Sequence, residues 1–176
     1  MRGTSFLDRL KQQFGDKITG SNLEALDPWI EVSPDGLVEL CEYLKTQPDL
    51  RFDYLNCITV VDFIETDPKK AAKVTWQPHL EVVYHLWSVT NRNSLVLKVT
   101  LPRWHNNIEG IPPECPTVSG VWRTADWHER ECYDLSGVNF TDHPNLRRIL
   151  CPEDWEGFPL RRDYVQPLEY HGIRNR

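Results

Sequence analysis

The sequence predicts an α+β fold, with one small domain over residues 1–137 and an extended arm over 138–176. The domain is expected to hold a mixed or antiparallel sheet with flanking helices. Three observations carry this reading. Apolar residues recur at helical spacing in some segments, and β-branched and apolar residues alternate or run together in others. From Val138 onward, Pro144, Pro152, Pro159 and Pro167 recur every seven or eight residues. Proline at that spacing blocks long helices and central strands, because it lacks the N–H that either ladder needs.

The elements follow in order. In "SFLDRLKQQF" (5–14), Phe6, Leu7, Leu10 and Phe14 share one helical face; Ser5 is the candidate N-cap and Gly15 the stop. "WIEV" (29–32) reads as a short strand. "SPDGLVELCEYLKTQ" (33–47) reads as a helix, with Ser33 capping, Pro34 in the first turn and Leu37, Leu40, Cys41 and Leu44 facing the core. A strand is expected over 57–64, followed by the polar loop "DPKKAAK". "HLEVVYHLWSV" and "SLVLKVTLP" flank "TNRN" and alternate as the two strands of a hairpin. "IPPECP" (111–116) is a rigid loop, and a helix over about 119–135 ends at Gly137.

Composition narrows the function. The 176 residues are 40% hydrophobic and 26% charged, enough for one cored domain. The formal charge of −6 disfavours nucleic acid as a partner, since phosphate binding draws on excess cations. No run approaches the ~20 apolar residues needed to span a bilayer, and the N-terminal "MRGTSFLDRLKQQFGDK" lacks an apolar signal core. The cysteines Cys41, Cys57, Cys115, Cys132 and Cys151 form no close pair, so they read as buried thiols in a reducing compartment rather than as zinc or cluster ligands.

Catalytic motifs are missing. "WHERE" (127–131) has Cys132 where a metalloprotease helix needs its second His. His79-Leu-Glu81 is not followed by the Pro-Cys-x-x-Cys of zinc deaminases. No phosphate-binding glycine loop and no nucleophile elbow is present. An independent enzyme using His128 with Glu129 or Glu131 as acid and base would need a pocket joining them.

The cations point elsewhere. Every lysine lies at or before Lys98; after it come Arg103, Arg123, Arg130, Arg147, Arg148, Arg161, Arg162, Arg174 and Arg176. Arginine has a planar fork and is weakly hydrated, which suits buried and interfacial ion pairs. Residues 142–176 hold as many acids as arginines, so the arm is balanced where a nucleic-acid arm would be basic. With Trp155, Phe158 and Tyr164 among them, these arginines fit docking on protein. Packing on the arm's own domain through internal ion pairs is compatible with that. The helix segment "ERECYD" supplies Glu129, Arg130, Glu131 and Asp134, whose charges need partners if buried.

"ERECYDLSGVNFTDHPNLRRILCPEDWEGFPLRRDY" (129–164) strongly resembles the signature of the thirty-kilodalton, or C-type, subunit of proton-translocating NADH–quinone oxidoreductase, respiratory complex I. The matching positions are Glu129, Arg130, Glu131, Tyr133, Asp134, Leu135, Gly137, His143, Pro144, Leu146–Leu150, Pro152, Trp155, Gly157 and Pro159–Asp163. The resemblance covers about residues 25–170. Ser136, Asp142, Asn145 and Cys151 depart from it; at 142 a glycine is customary.

The resemblance implies an α+β domain with a C-terminal extension that packs on the forty-nine-kilodalton, or D-type, subunit in the peripheral arm of the complex. It implies a chain without catalytic residues, metal or cofactor of its own, the FMN, iron–sulfur clusters, NADH and quinone belonging to other subunits. It places the chain peripherally on the cytoplasmic face of a bacterial membrane, or on the matrix or stromal side in an organelle. The partner-interface residues it suggests are Glu129, Arg130, Glu131, Asp134, His143, Arg147, Arg148, Trp155, Arg161, Arg162 and Asp163. Arg147→Ala or Arg161→Ala is then expected to weaken assembly and spare the isolated fold. The equivalent subunit of a membrane-bound hydrogenase or a ferredoxin-driven quinone oxidoreductase is the alternative.

Overall fold

The computed structural model describes residues 4–174, with side chains from Phe6 onward. Helix α1 (Thr4–Phe14) leads into strand β1 (Ile18–Asn22), then β2 (Trp29–Val32), helix α2 (Leu37–Thr46) and β3 (Tyr54–Phe63). A four-residue helix, α3 (Pro68–Ala71), interrupts the polar loop before β4 (His79–Ser88) and β5 (Asn93–Pro102). Then come β6 (Glu114–Pro116), α4 (Ala125–Ser136), β7 (Asn139–Thr141), and the small ribbon β8 (Glu169–Tyr170) with β9 (Ile173–Arg174).

The main sheet has five strands in the order β1-β2-β5-β4-β3. It is mixed: β2 runs parallel to β5, and every other neighbouring pair is antiparallel. The fold is therefore α+β, as the sequence indicates. The β4–β5 hairpin sits in the middle, and its inward residues Leu80, Val82, Tyr84, Leu86, Leu95, Leu97, Val99 and Leu101 are buried. They pack with Phe6, Leu10 and Phe14 of α1 and Leu37, Leu40, Cys41 and Leu44 of α2 in one core.

Strand β3 is an edge whose unpaired backbone would attract other strands if left open. The chain covers it from within. Cys132 of α4 donates its thiol to the Ile58 carbonyl at 3.6 Å, Thr124 reaches Leu55 O at 3.3 Å, and the Trp122 indole N–H reaches Phe52 O at 3.0 Å. Helix α4 is thereby fixed across the sheet edge, with its C-terminus aimed at the chain that follows.

Several boundaries differ from the sequence reading. That reading has no β1, because "ITGSN" is rich in turn formers and buries only Ile18. β3 begins three residues early, at Tyr54. The helix expected from 119 starts at Ala125; Val121 and Trp122 instead form a turn on the Val118 carbonyl. Val138 and Phe140 are core residues and β7 pairs in parallel with β6, so the chain leaves the domain after Thr141 rather than at Val138. Ser5, the expected N-cap, lies inside α1, and its side chain is outside the described residues, as is Arg176.

Candidate functional site

A helix leaves its last four carbonyls without intrahelical donors. In α4 these belong to Asp134, Leu135, Ser136 and Gly137, and the arm satisfies all four. Arg148 Nη1 donates to Asp134 O at 2.9 Å. The Leu160 amide donates to Leu135 O at 2.9 Å. Arg161 reaches Ser136 O through Nε and Gly137 O through Nη2, the latter at 3.1 Å. Gly137 itself is left-handed, with φ of 68°, and its amide bonds back to Tyr133 O. A Cβ at this glycine would lie 2.5 Å from the Phe158 ring, so the residue allows both the turn and the close approach of the arm.

Asp134 is the second anchor. Its Oδ2 accepts the backbone N–H groups of Ile149, Leu150 and Cys151 at 2.9, 2.6 and 2.9 Å, and Oδ1 accepts Arg148 Nη1 at 2.8 Å. Burial opposes ionisation here, but the amides of Leu150 and Cys151, the Arg148 fork and the Ile149 amide outweigh it and hold the carboxyl below its ordinary range. Arg148 Nη2 continues to the carbonyls of Trp155 and Gly157 at 3.1 and 3.0 Å. One carboxylate and one guanidinium thus set the path of residues 148–157.

A third anchor ties the arm to β3. Arg103 binds Asp62 through Nε and Nη2, both at 2.9 Å, and Asp163 through Nη1 and Nη2 at 2.9 and 2.8 Å. The Arg162 amide also donates to Asp62 Oδ2 at 3.0 Å. Arg161 is buried beside them and pairs with no carboxylate among the described residues. It donates to Arg103 O at 3.0 Å, and its guanidinium lies 4.3 Å from the Trp104 ring centroid. Burial, and next the charge of Arg103, bring its pKa down to about 10, so it stays a cation at neutral pH. The negative end of the α4 dipole faces this cation.

The two arginine pairs are therefore split. Arg148 and Arg161 serve the chain's own backbone. Arg147 is exposed and makes no hydrogen bond or ion pair among the described residues, and Arg162 is half-exposed with Glu65 3.7 Å away. Arg161 cannot be removed without opening the C-terminus of α4. The expectation that Arg161→Ala spares the fold is corrected on that ground, while Arg147 keeps it.

The remaining expected residues divide in the same way. Glu129 is fully buried; it accepts the Val118 amide at 2.7 Å and the Thr117 hydroxyl. Burial pushes it up to about 7 against those two hydrogen bonds, with Asp126 adding to the rise. The His143 ring is enclosed as well. Its Nδ1 accepts the Asn145 amide at 3.0 Å, so the ring proton sits on Nε2 and donates to Asp126 O at 3.1 Å. Arg130 is buried, paired with Asp126 and lying 4.1 Å from the Trp127 ring centroid. Glu131 is exposed. Glu129 and Glu131 thus face opposite ways, one into the core and one to solvent. Trp155 is half-buried and packs on Tyr170. At Asp142 the backbone keeps φ of 62°, the conformation that the customary glycine allows.

What sequence reasoning missed is the outward face of the arm. Leu150, Leu160, Val165, Leu168 and Ile173 are exposed, the last three by 84, 85 and 71%. Scattered exposed leucines need no explanation, but this succession leaves the outer face of one segment apolar. The only signal in the sequence is a set of isolated apolar residues between the prolines.

The locking residues of the arm fall within a known family pattern. The family described as respiratory-chain NADH dehydrogenase, 30 Kd subunit, matches residues 30–170. The chain belongs to this family. The C-type subunit of NADH-quinone oxidoreductase from Roseiflexus sp. is 41% identical over 157 residues, covering 89% of this chain and 80% of that one. The same subunit of Chlorobium phaeobacteroides is 38% identical over 169 residues, covering 95% of this chain and 91% of its own. A chain from the membrane-bound sulfane sulfur reductase, an archaeal respiratory membrane complex, superimposes with a TM-score of 0.65 over 92% of this chain and 84% of its own; at 20% identity it shares the fold alone. Arg148, Arg161 and Asp163, which fix the arm of this family member on its domain, all lie inside the matched span.

Proposed function

We propose that this family member is a structural subunit of a proton-translocating NADH–quinone oxidoreductase, carrying no redox centre and packing its arm against the forty-nine-kilodalton type of subunit. The supporting observation is the division of labour in the arm. Arg148, Arg161 and Asp163 hold it on its own domain, while Leu150, Leu160, Val165, Leu168, Arg147 and Arg162 face outward. A segment that rigid and that apolar on its free side is preorganised for a partner, because little ordering entropy remains to be lost on binding. Glu131, Arg147 and Arg162 are the expected partner-facing charges; Glu129, Arg130, Asp134, His143, Arg148 and Arg161 act by shaping the surface from beneath, and the exposed Asp163 anchors the arm at its side.

No helix among the described residues is long and apolar enough to cross a membrane. In this reading the chain is held at the membrane through its partners, on the side where NADH is oxidised. Identities of 41 and 38% to NADH-quinone oxidoreductase subunits favour that machine. The hydrogenase or ferredoxin-driven alternative draws only on shared fold.

Affinity purification of the tagged chain from its native membranes tests the proposal. Co-purification of an NADH-binding flavin subunit and a forty-nine-kilodalton type of subunit is the expected result. A hydrogenase large subunit in their place selects the alternative, and a chain that emerges alone overturns both.

A further inference from the structure

Away from the arm's apolar face, α2, the 117–121 loop, the start of α4 and the 142–145 turn enclose an open groove of about 780 Å³. Its construction is specific. Val38, Val121, Trp127 and Pro144 give it apolar walls, and Glu42 and Asp142 stand exposed in its lining. Neither the Glu42 nor the Asp142 carboxylate has a partner among the described residues. The Trp127 indole is 61% exposed, an unusual state for a large aromatic ring; Arg130 lies on it, and the ring still projects into the groove.

The lining is held firm from behind. Glu129 binds Val118 and Thr117 of the loop, Lys45 binds the Val121 carbonyl, and His143 fixes the 142–145 turn on Asp126 and Asn145. A groove whose helices, loop and turn are tied by these polar contacts keeps its shape in the free chain.

We infer that this groove is a second docking site, which receives a lysine- or arginine-bearing segment of a neighbouring subunit. The inference rests on the reading of the chain as a subunit of a larger complex. Long cationic side chains have an aliphatic stem that lies well on valine, proline and indole, and a charged head that needs a carboxylate. The groove offers both: Val38, Val121, Pro144 and Trp127 for the stem, Glu42 and Asp142 for the head. Asp126 is already engaged by Arg130 and His143, so it sharpens the local field without competing for the guest. Arg123 at the same lining is exposed; it excludes a guest with cations along its whole length and selects one whose positive charge is local.

The test uses the assembled complex from native membranes, with Trp127→p-benzoylphenylalanine as the photocrosslinker. The expected adduct is to another subunit, at a peptide carrying Lys or Arg within a few residues of the attachment point. The double variant Glu42→Lys with Asp142→Lys, in the same crosslinking background, is expected to lower adduct yield by roughly fivefold, since solvent-exposed charge pairs contribute weakly. A thermal melt of this variant is expected to fall only slightly below the parent, the loss coming from a lysine at the left-handed backbone of position 142 and not from the carboxylates. An adduct at an acidic or uncharged peptide, no adduct in a complex that does assemble, or an unchanged yield after charge reversal overturns the groove assignment and leaves the subunit reading standing. A chain that co-purifies with no other subunit overturns both.

Discussion

Arg103 grips Asp62 through two hydrogen bonds of 2.9 Å each and, with the other side of the same guanidinium, grips Asp163 sixty residues further along the chain. A strand residue and an arm residue share one cation, carried by the loop that follows β5. Burial works against the Arg103 charge, but the two aspartates more than compensate and raise its pKa further above the ordinary value. Arg103→Ala leaves Asp62 buried without its fork, and unpaired buried charge is expensive. The expected cost is about 3 kcal/mol, read as a lower urea midpoint with unchanged slope. Arg103→Lys recovers only part of it, because one ammonium cannot span two carboxylates bidentately.

The split within the arginine pairs separates two phenotypes. Arg147→Ala is expected to leave the melting temperature of the isolated chain within about 2 °C, since exposed substitutions away from special features cost ~0.5 kcal/mol or less. It is expected to weaken retention in the complex at raised salt. Arg161→Ala opens the end of α4 and is expected to lower stability by about 2–4 kcal/mol before assembly is considered. Equal melting temperatures for the two variants contradict the assignment.

Glu129 makes stability pH-dependent in an unusual direction. Its folded pKa is about 7 against a reference of 4.5, so the folded state holds the proton more tightly. The stabilisation is full below pH 4.5 and is lost as pH rises through 7. By linkage, that shift corresponds to about 3 kcal/mol between the two limits. Glu129→Gln is expected to flatten this part of the profile, measured by urea unfolding between about pH 5 and 8. A parallel slope in the variant assigns the effect to another group.

Asp134 works the opposite way. Its carboxyl is held below the reference of 3.8, so its contribution is present above that value and is lost as pH falls through the lower folded value. Asp134→Ala removes the acceptor of three amides and a guanidinium, and is expected to cost about 3–5 kcal/mol. Hydrogen exchange at Ile149, Leu150 and Cys151 is expected to accelerate first in this variant.

Gly137→Ala is expected to destabilise the chain by about 1–2 kcal/mol for the left-handed backbone alone, with more from the Phe158 ring 2.5 Å away. Combining it with Phe158→Leu relieves the steric part and leaves the backbone part. A thermal double-mutant cycle separates them, and strict additivity contradicts the contact.

Much of this is legible before any coordinates. The β4–β5 hairpin follows from alternation in "HLEVVYHLWSV" and "SLVLKVTLP", and α2 from Leu37, Leu40, Cys41 and Leu44 at helical spacing. The need of Glu129, Arg130 and Asp134 for partners follows from charge in a helix that the fold buries. What stays hidden is direction. Arg147 and Arg148 are chemically the same, and only the turn after Thr141 decides that the second points to Asp134 and the first to solvent. β1 is hidden for a different reason: backbone pairing with β2 holds it, and its side chains contribute little. The β6–β7 pair joins three-residue segments separated by more than twenty positions, a contact that no local pattern announces.

The way α4 ends carries a consequence for synthesis. Its closing turn waits for residues 148, 160 and 161, which leave the ribosome well after the helix itself. Until they emerge, the domain carries a frayed helix terminus over its sheet edge, and a chain stopped short of Arg161 never completes it. Closure of the helix and folding of the arm onto the domain are therefore coupled steps.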